Sequence, residues 1–192
     1  MTSPFLYFPH ERLSPAELSA ARLDGHLVEL GEGYLPADAI ETPSMRAASL
    51  RSVLGSRLAV ALLSAAWVWG ATPTPPARHE VCRTGTRVTT LRGRRAVLSD
   101  LRLHPGELTT VGGAAVTTPA RTLSDLARRG TDDDAAAARM LVRTGLADPA
   151  AVLATLHAHG HMPRIRSAER LLGRLAAEAA GQNEPCQAEV TR

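Results

Sequence analysis

The sequence predicts an α+β fold that combines an N-terminal partial winged helix-turn-helix, a central apolar helix, a small mainly antiparallel sheet and C-terminal helices. Three observations predict this fold. A capped helix is followed at once by a hairpin pattern within residues 1–40, an uncharged apolar segment occupies residues 58–70, and short β-branched runs separated by glycines come after it. These features divide the chain into a head at 1–40, an α+β domain at 41–180 and a polar tail at 181–192 that we expect to be disordered.

The composition limits the chemistry that the chain can perform. All 22 of its basic residues are arginines, and no lysine is present. A guanidinium stays protonated, so it binds phosphate or carboxylate, but it does not form a Schiff base or complete a lysine-dependent phosphate loop or nuclease centre. The net charge of +3 and the pI of about 9.5 permit a polyanionic partner without requiring one.

Neither a cofactor site nor a membrane anchor is predicted. Cys82 and Cys186 have no second cysteine or histidine at ligand spacing, so we expect two reduced thiols and no zinc site. The apolar run at residues 58–70 is shorter than the roughly 20 residues that cross a bilayer. The first ten residues show no secretory signal, and the expected location is the cytoplasm.

The head begins with a helix whose N-terminus is marked by a capping box at residues 14–17 and whose end is marked by Gly25. Residues 26–36 then alternate apolar and polar side chains on both sides of a Gly-Glu-Gly turn, which is typical of a β-hairpin. A helix followed directly by a hairpin is the end of a winged helix-turn-helix. In that motif the helix enters the major groove and the hairpin tip, the wing, contacts the DNA backbone or the minor groove.

Candidate DNA contacts follow from this interpretation. Basic side chains around the helix would contact phosphates, and polar side chains at its N-terminus would lie near base edges. Glu29 and Glu32 oppose the interpretation because acidic residues near the wing repel phosphate, and few residues precede Ser14 to form supporting helices. A helix-hairpin cap with merely solvated charges is the alternative. The candidate DNA-binding residues are Arg12, Ser14, Glu17, Arg22, His26, Tyr34, Arg46 and Arg51.

The middle of the chain is predicted to contain two helices, a linker and a sheet. A second helix runs from Thr42 to about Leu54, residues 58–70 form the buried central helix, and residues 71–77 form a proline-rich linker. Glycine-separated β-branched runs predict short strands in a mainly antiparallel sheet. The four expected strands are residues 79–83, 87–91, 96–99 and 114–117.

The last third of the chain is predicted to be helical. Pro119 begins a helix that Gly130 ends, and within it Arg121 and Asp125 have the spacing to pair on the surface. Further helices are expected at residues 132–144, 148–158 and 165–180.

Two clusters in these helices invite comparison with metal sites. They are the Asp132–Asp134 triplet and the histidines His157, His159 and His161. Consecutive or alternate residues of a helix point in different directions, so we interpret the triplet as a helix cap and the histidines as a frayed helix end.

Two segments resemble a known family. Ala65-Ala66-Trp67 with Gly70 and a proline-rich turn, and the run Val-Thr-Thr-Pro-Ala-Arg-Thr-Leu-Ser-Asp-Leu-Ala-Arg at residues 116–128, resemble actinobacterial proteins of the AbiEi family, the antitoxins of type IV toxin–antitoxin systems. The Gly33-Tyr34 pair of the hairpin adds a less specific match. The resemblance covers roughly residues 13–160. It implies a protein that represses its own operon through the winged helix and counters a nucleotidyltransferase-type toxin.

Three functions are compatible with the sequence. The chain is a DNA-binding antitoxin whose partners are double-stranded operator DNA and the toxin, or it is a protein–protein interaction module that has lost DNA binding. An enzyme is disfavoured because the sequence offers no lysine, no paired carboxylates and no nucleophile beside a histidine. For the interaction module, the residues expected to face a partner are Arg92, Arg94, Arg95, Arg121 and Asp125.

Overall fold

The chain folds into two compact units, unit 1 at residues 1–118 and unit 2 at residues 119–192. The structure is a computed structural model, and it describes residues 5–54, 57–85, 95–158 and 164–182. Within these ranges, unit 1 contains a two-stranded sheet, a five-stranded sheet and three helices, and unit 2 contains four helices. The mixture of helices and sheets agrees with the predicted α+β class.

The head contains the helix and the hairpin that its sequence predicts. Helix α1 spans Pro15–Leu23, strand β1 spans Leu27–Leu30 and strand β2 spans Gly33–Pro36. The two strands are antiparallel, and Tyr7 pairs with Tyr34 on the other edge of β2. Leu18 of α1 is fully buried, which fixes the inner face of this helix.

Residues 58–70 are a strand followed by a short helix, so the prediction of a central apolar helix is confirmed for Leu62–Val68 and wrong for Leu58–Val60. Strand β3 spans Leu58–Val60, and helix α3 spans Leu62–Val68. All three residues of β3 are buried, and the backbone of Leu62 turns the chain with a φ of +52°. A short uncharged apolar run fits a buried strand as well as a helix, and pairing with strands on both sides decides between them.

Helix α2 precedes this segment and spans Pro43–Ser49, so it ends about five residues before the predicted end at Leu54. Thr42 caps it, with the backbone N–H of Met45 donating to the Thr42 hydroxyl. After Ser49 the chain continues through turns in residues 50–53.

The five-stranded sheet has the order β5-β4-β3-β7-β6, in which β4 spans His79–Arg83, β5 spans Ala96–Ser99, β6 spans Leu108–Val111 and β7 spans Ala114–Thr117. The β3–β4 and β6–β7 pairs are antiparallel, whereas β4–β5 and β3–β7 are parallel. The sheet is therefore mixed, and the expectation of a mainly antiparallel sheet was wrong. Residue preferences reveal where strands are, but they do not reveal which distant strands become neighbours.

Three of the four predicted strands have the predicted bounds, and the fourth, at residues 87–91, lies outside the described residues. Strand β6 was not predicted from the sequence. The signal was present, because Gly112 and Gly113 separate two β-forming runs and adopt φ values of +56° and +77°. Two such glycines favour the two-residue turn that joins β6 to β7.

Unit 2 contains helices α4 (Pro119–Arg129), α5 (Asp132–Arg143), α6 (Pro149–Ala158) and α7 (Ile165–Gln182). Thr131 and Asp134 form a capping box at the start of α5, which confirms a capping role within the aspartate triplet. The core of the unit contains fully buried leucines from three helices, among them Leu123, Leu126, Leu141 and Leu172. None of the described helices is long and apolar enough to cross a membrane.

Candidate functional site

The N-terminal turn of α1 uses its two candidate polar side chains to cap the helix. The carboxylate of Glu17 accepts a hydrogen bond from the backbone N–H of Ser14 at 2.8 Å, and the Ser14 hydroxyl accepts one from the N–H of Glu17 at 3.3 Å. The hydrogen bonds from Ser14, first that of its backbone and then that of its side chain, lower the pKa of Glu17. Both residues are exposed, so they stabilise the helix and still face solvent.

The basic candidate residues of the head differ in whether a carboxylate already pairs with them. Arg22 lies 3.4 Å from the carboxylate of Glu29, and both side chains are exposed. Arg12 and His26 are exposed, and Arg12 forms no ion pair within the described residues. Arg12 is therefore the arginine of the head that is best placed to meet a phosphate.

Tyr34 holds the N-terminal segment to the hairpin through its backbone. Its N–H and C=O both bond with the backbone of Tyr7, each at 2.9 Å. The side chain is half-buried. The backbone of this candidate DNA contact therefore joins β2 to the N-terminal segment through an isolated bridge.

The hairpin turn is packed against the body of unit 1. Gly31 has a φ of +56°, and a Cβ atom at this position would collide with the hydroxyl of Ser49 and lie 3.2 Å from both Leu50 and the Trp67 ring. Leu50 and Trp67 belong to the buried core of the unit. A wing that probes DNA needs an exposed tip, and this tip is covered by α2 and α3.

A cluster of three charged or titratable side chains holds the turn in place. The carboxylate of Glu32 lies 3.2 Å from Nε2 of His79 and accepts hydrogen bonds from Arg95 at 3.0 Å. The Glu32 side chain is 13% exposed and that of His79 is 5% exposed, whereas Arg95 is mostly in solvent. We call these three residues the turn cluster. From the sequence, Glu32 was expected only to be an unfavourable charge near DNA, and no role was predicted for His79.

Burial determines the protonation of His79. Desolvation lowers the pKa of this histidine more than the facing Glu32 carboxylate raises it, and the nearby Arg95 charge lowers it further. In the neutral tautomer that donates from Nε2 to Glu32, Nδ1 carries no proton. Nδ1 is the buried side-chain polar atom that lacks a hydrogen-bond partner within the described part of the chain. The turn cluster is thus built around a neutral imidazole.

Arg46 is committed to the core. Its guanidinium donates to the backbone oxygen of Trp67 at 2.8 Å and to the carboxylate of Glu41 at 3.0 Å, and it lies 5.5 Å from the centre of the Trp67 ring. Its side chain is 16% exposed. The guanidinium of Arg46, which was a candidate phosphate contact, therefore caps the C-terminal end of α3.

Arg51 is exposed and forms no ion pair within the described residues. It lines two pockets of unit 1, one of about 510 Å³ that Glu11, Glu32 and Phe8 also line, and one of about 350 Å³ beside Gly113. The larger pocket mixes two carboxylates, one guanidinium and apolar side chains. Its lining also includes Ser52, and this mixture of charged, polar and apolar side chains suits the binding of a ligand.

The candidate partner contacts lie in three different settings. Arg121 and Asp125 pair at 2.8 Å, as their spacing predicts, but their side chains are only 4% and 1% exposed, so the prediction that they pair on the surface was wrong. The carboxylate of Asp125 is shared with Arg128 at 3.5 Å. Arg95 belongs to the turn cluster, and Arg92 and Arg94 lie outside the described residues.

Charge is distributed unevenly along the chain. Residues 1–40 contain six acidic residues and two arginines, a formal net charge of −4, so the rest of the chain carries +7 to give the total of +3. A head that reads DNA is expected to be basic, because phosphate neutralisation supplies most of the affinity. This head has the opposite sign.

The described residues contain no group of three or more histidine, cysteine or acidic side chains that converge on one point. His157 is exposed and pairs with Glu169 at 2.9 Å, while His159 and His161 lie outside the described residues. Cys82 is buried as a free thiol in β4.

Comparison with known proteins assigns the larger part of the chain to one family. The model of the AbiEi antitoxin C-terminal domain matches residues 58–175, which is more than half of the sequence. The matched range begins at β3 and ends within α7. No curated protein matches the chain.

Proposed function

This chain belongs to the AbiEi antitoxin family, and from that membership we propose that it is a non-enzymatic antitoxin that counters a nucleotidyltransferase-type toxin. The observation that carries the proposal is the extent of the family match. Residues 58–175 take in the whole five-stranded sheet and most of the helical unit. Antitoxins of this family are regulatory proteins. The activity of this chain is therefore measured by whether a cell that makes the toxin survives when the chain is present.

The geometry of the head supports an antitoxin action that does not depend on DNA. The hairpin tip is packed on the core, Arg46 is engaged by Trp67 and Glu41, and residues 1–40 are acidic overall. Each feature weakens the contact that a winged helix makes with DNA. We therefore place the toxin-countering activity in the matched region.

Growth of cells that carry the toxin gene on an inducible promoter tests this proposal. The promoter must be unrelated to the native operon, so that repression of that operon contributes nothing to survival. Co-expression of the full chain is expected to restore growth. Continued growth arrest in cells that accumulate folded chain would contradict the proposal, as would a native gene neighbourhood without a nucleotidyltransferase-type toxin gene.

Autoregulation through operator DNA is the second candidate function, and one observation favours it. Arg12 and Arg51 are exposed and have no carboxylate partner among the described residues, and α1 presents an exposed, capped N-terminus beside Arg12. In this candidate, α1 reads the major groove and the two arginines contact phosphates.

A mobility shift with the DNA upstream of the native gene tests the second candidate. The wild-type chain is expected to shift this DNA, and the Arg12→Ala/Arg51→Ala variant is expected to bind it more weakly with a smaller salt dependence. The control is Arg83→Ala/Arg139→Ala, which removes the same charge from arginines that pair with Asp100 and Glu178. The candidate fails if the wild-type chain gives no shift at low salt.

A further inference from the structure

The pocket of about 510 Å³ in unit 1 lies outside the family match, and the proposed antitoxin activity does not use it. Its lining comes from the N-terminal segment, the hairpin turn, α2 and the turns that follow α2. The volume falls within the range of about 300–1,000 Å³ that is usual for small-molecule sites. We call this cavity the head pocket.

The buried part of the lining is apolar. Leu6 and Ala48 are buried, and Phe8 and Pro9 extend the apolar wall toward solvent. A wall of this kind favours a ligand that brings an aliphatic or aromatic group out of water. The head pocket therefore offers an apolar surface beside its charged side chains.

Three charged side chains line the head pocket, and one of them is already neutralised. The carboxylate of Glu32 accepts hydrogen bonds from Arg95 and contacts His79. Glu11 and Arg51 are exposed, and within the described residues they pair neither with each other nor with another charged side chain. One cavity thus presents a carboxylate and a guanidinium that are too far apart to form an ion pair.

The surrounding backbone holds these two side chains at the pocket. Glu11 lies in a turn in which its N–H donates to the backbone oxygen of Phe8 at 3.3 Å, and the preceding His10 has a φ of +70°. Strained backbone of this kind is concentrated at ligand-binding sites. Arg51 rests on Gly113, where a Cβ atom would lie 3.7 Å from its Nε. The glycine therefore leaves room for the guanidinium beside the β6–β7 turn.

The charges of the head pocket select a class of ligand. Two carboxylates and one guanidinium give the lining a formal charge of −1, which disfavours a phosphate or a nucleotide. A guanidinium binds a carboxylate through two parallel hydrogen bonds, and a carboxylate accepts hydrogen bonds from an ammonium group. A ligand with both groups bridges Arg51 and Glu11 although these side chains do not contact each other. An α-amino acid carries both groups on one carbon, together with a side chain for the apolar wall.

We propose that the head pocket binds a free α-amino acid with an apolar side chain. Arg51 pairs with its carboxylate, Glu11 accepts from its ammonium group, and Phe8 covers its side chain. The hydroxyl of Ser52, which also lines the pocket, is a further hydrogen-bond partner. The inference requires neither that the chain counter a toxin nor that it bind DNA.

Isothermal titration calorimetry of the full chain with L-leucine and with L-phenylalanine tests the proposal. At least one of the two amino acids is expected to bind with a Kd below about 1 mM. Glycine lacks the apolar side chain, the amide of each amino acid lacks the carboxylate, and the deaminated acid lacks the ammonium group. Each of these compounds is expected to bind about tenfold more weakly or worse, because one of the three contacts is lost.

Variants of the two charged side chains test their roles. Arg51→Gln and Glu11→Gln are each expected to weaken binding by about tenfold or more, and both positions are exposed, so the variants are expected to fold. The matched controls are Arg12→Gln and Glu29→Gln, which remove the same charges at exposed positions of the head outside the described lining. They are expected to leave the affinity unchanged.

Three results would overturn the proposal. Neither amino acid binds at concentrations up to about 10 mM, a control variant weakens binding as much as the pocket variants do, or the compounds that lack one group bind as well as the amino acids. The last result would make the cavity a site for apolar or singly charged compounds. Growth rescue from the toxin is a separate assay, so the failure of one proposal does not imply the failure of the other.

Discussion

Oε1 of Glu32 lies 3.2 Å from Nε2 of His79, and this contact ties the hairpin turn to the first residue of β4. Arg95, which precedes β5, holds both oxygens of the same carboxylate at 3.0 Å. A turn that is fixed to the sheet in this way is part of the body of unit 1. The helix-hairpin head therefore has the element order of a winged helix, and its hairpin turn is fixed to the sheet by Glu32.

The stability of the chain is expected to fall as the pH drops below about 6.5, the ordinary pKa of histidine. Burial lowers the pKa of His79 in the folded state. Below pH 6.5 the His79 side chain therefore binds a proton in the unfolded chain but stays neutral in the folded chain. The unfolding free energy decreases as the pH falls, until the pH reaches the pKa of His79 in the folded state. Urea unfolding at pH 5.5 and pH 7.5 measures the difference. His79→Gln is expected to reduce the difference in unfolding free energy between the two pH values. The control His26→Gln, at an exposed position, is expected to leave that difference unchanged. If His79→Gln keeps the full difference, another group is responsible for it.

Gly31→Ala is expected to destabilise the chain far more than Gly25→Ala. Both glycines have positive φ values, +56° and +76°, so an alanine at either position is strained by about 1–2 kcal/mol. At Gly31 the added methyl group also collides with Ser49, whereas nothing lies within 4 Å of it at Gly25. Overpacking adds about 1–3 kcal/mol, which would appear as a lower urea midpoint. Equal losses in the two variants would mean that the turn is not packed on α2.

Substitution of Arg46 is expected to reduce the stability of the chain, whereas substitution of Arg51 is expected to leave it nearly unchanged. Arg46→Gln removes the guanidinium that caps α3 through Trp67 and pairs with Glu41, so we expect a loss of about 1–3 kcal/mol in thermal or urea unfolding. Arg51→Gln removes an exposed charge and is expected to change stability by less than about 0.5 kcal/mol. An Arg46→Gln variant that keeps its full stability and loses DNA affinity would restore this residue as a DNA contact.

Asp125→Asn is expected to unfold the chain rather than to weaken a partner surface. The Asp125 carboxylate is buried and is shared by Arg121 and Arg128, so neutralising it removes a charge that both guanidinium groups contact. Breaking a buried pair in this way costs about 3–5 kcal/mol. Asp132→Asn, at an exposed position in the first turn of α5, is the matched control and is expected to cost less than about 1 kcal/mol. An Asp125→Asn variant with normal stability but no antitoxin activity would favour the earlier interpretation of this residue as a partner contact.

Signals that act over a few residues were sufficient to predict several elements. The capping box at Ser14 and Glu17 predicts the start of α1, and Pro119 and Gly130 predict the bounds of α4. Each depends on a backbone N–H, a fixed φ or a left-handed glycine within one or two turns. The spacing of Arg121 and Asp125 likewise predicts that they pair, because both residues lie on one helix.

Features that depend on distant contacts could not be predicted in the same way. The run that begins at Leu58 becomes a strand because β4 and β7 lie on either side of it, and no local pattern states that. Burial of Arg121 and Asp125 depends equally on what surrounds their helix. Glu32 looked like an unfavourable charge at a wing tip, because its partners His79 and Arg95 come 47 and 63 residues later in the chain.

The most direct test of the account is the growth of cells that make the toxin from a promoter unrelated to the native operon, together with the Arg12→Ala/Arg51→Ala variant. This variant lacks Arg12 and Arg51, the two candidate DNA-contact arginines outside the matched region that form no ion pair within the described residues. If the antitoxin activity lies in the matched region at 58–175, the variant restores growth as fully as the wild-type chain. Growth that stays arrested with the variant, at equal levels of folded protein, while the wild-type chain restores it would contradict that claim and show that residues before the matched region are needed.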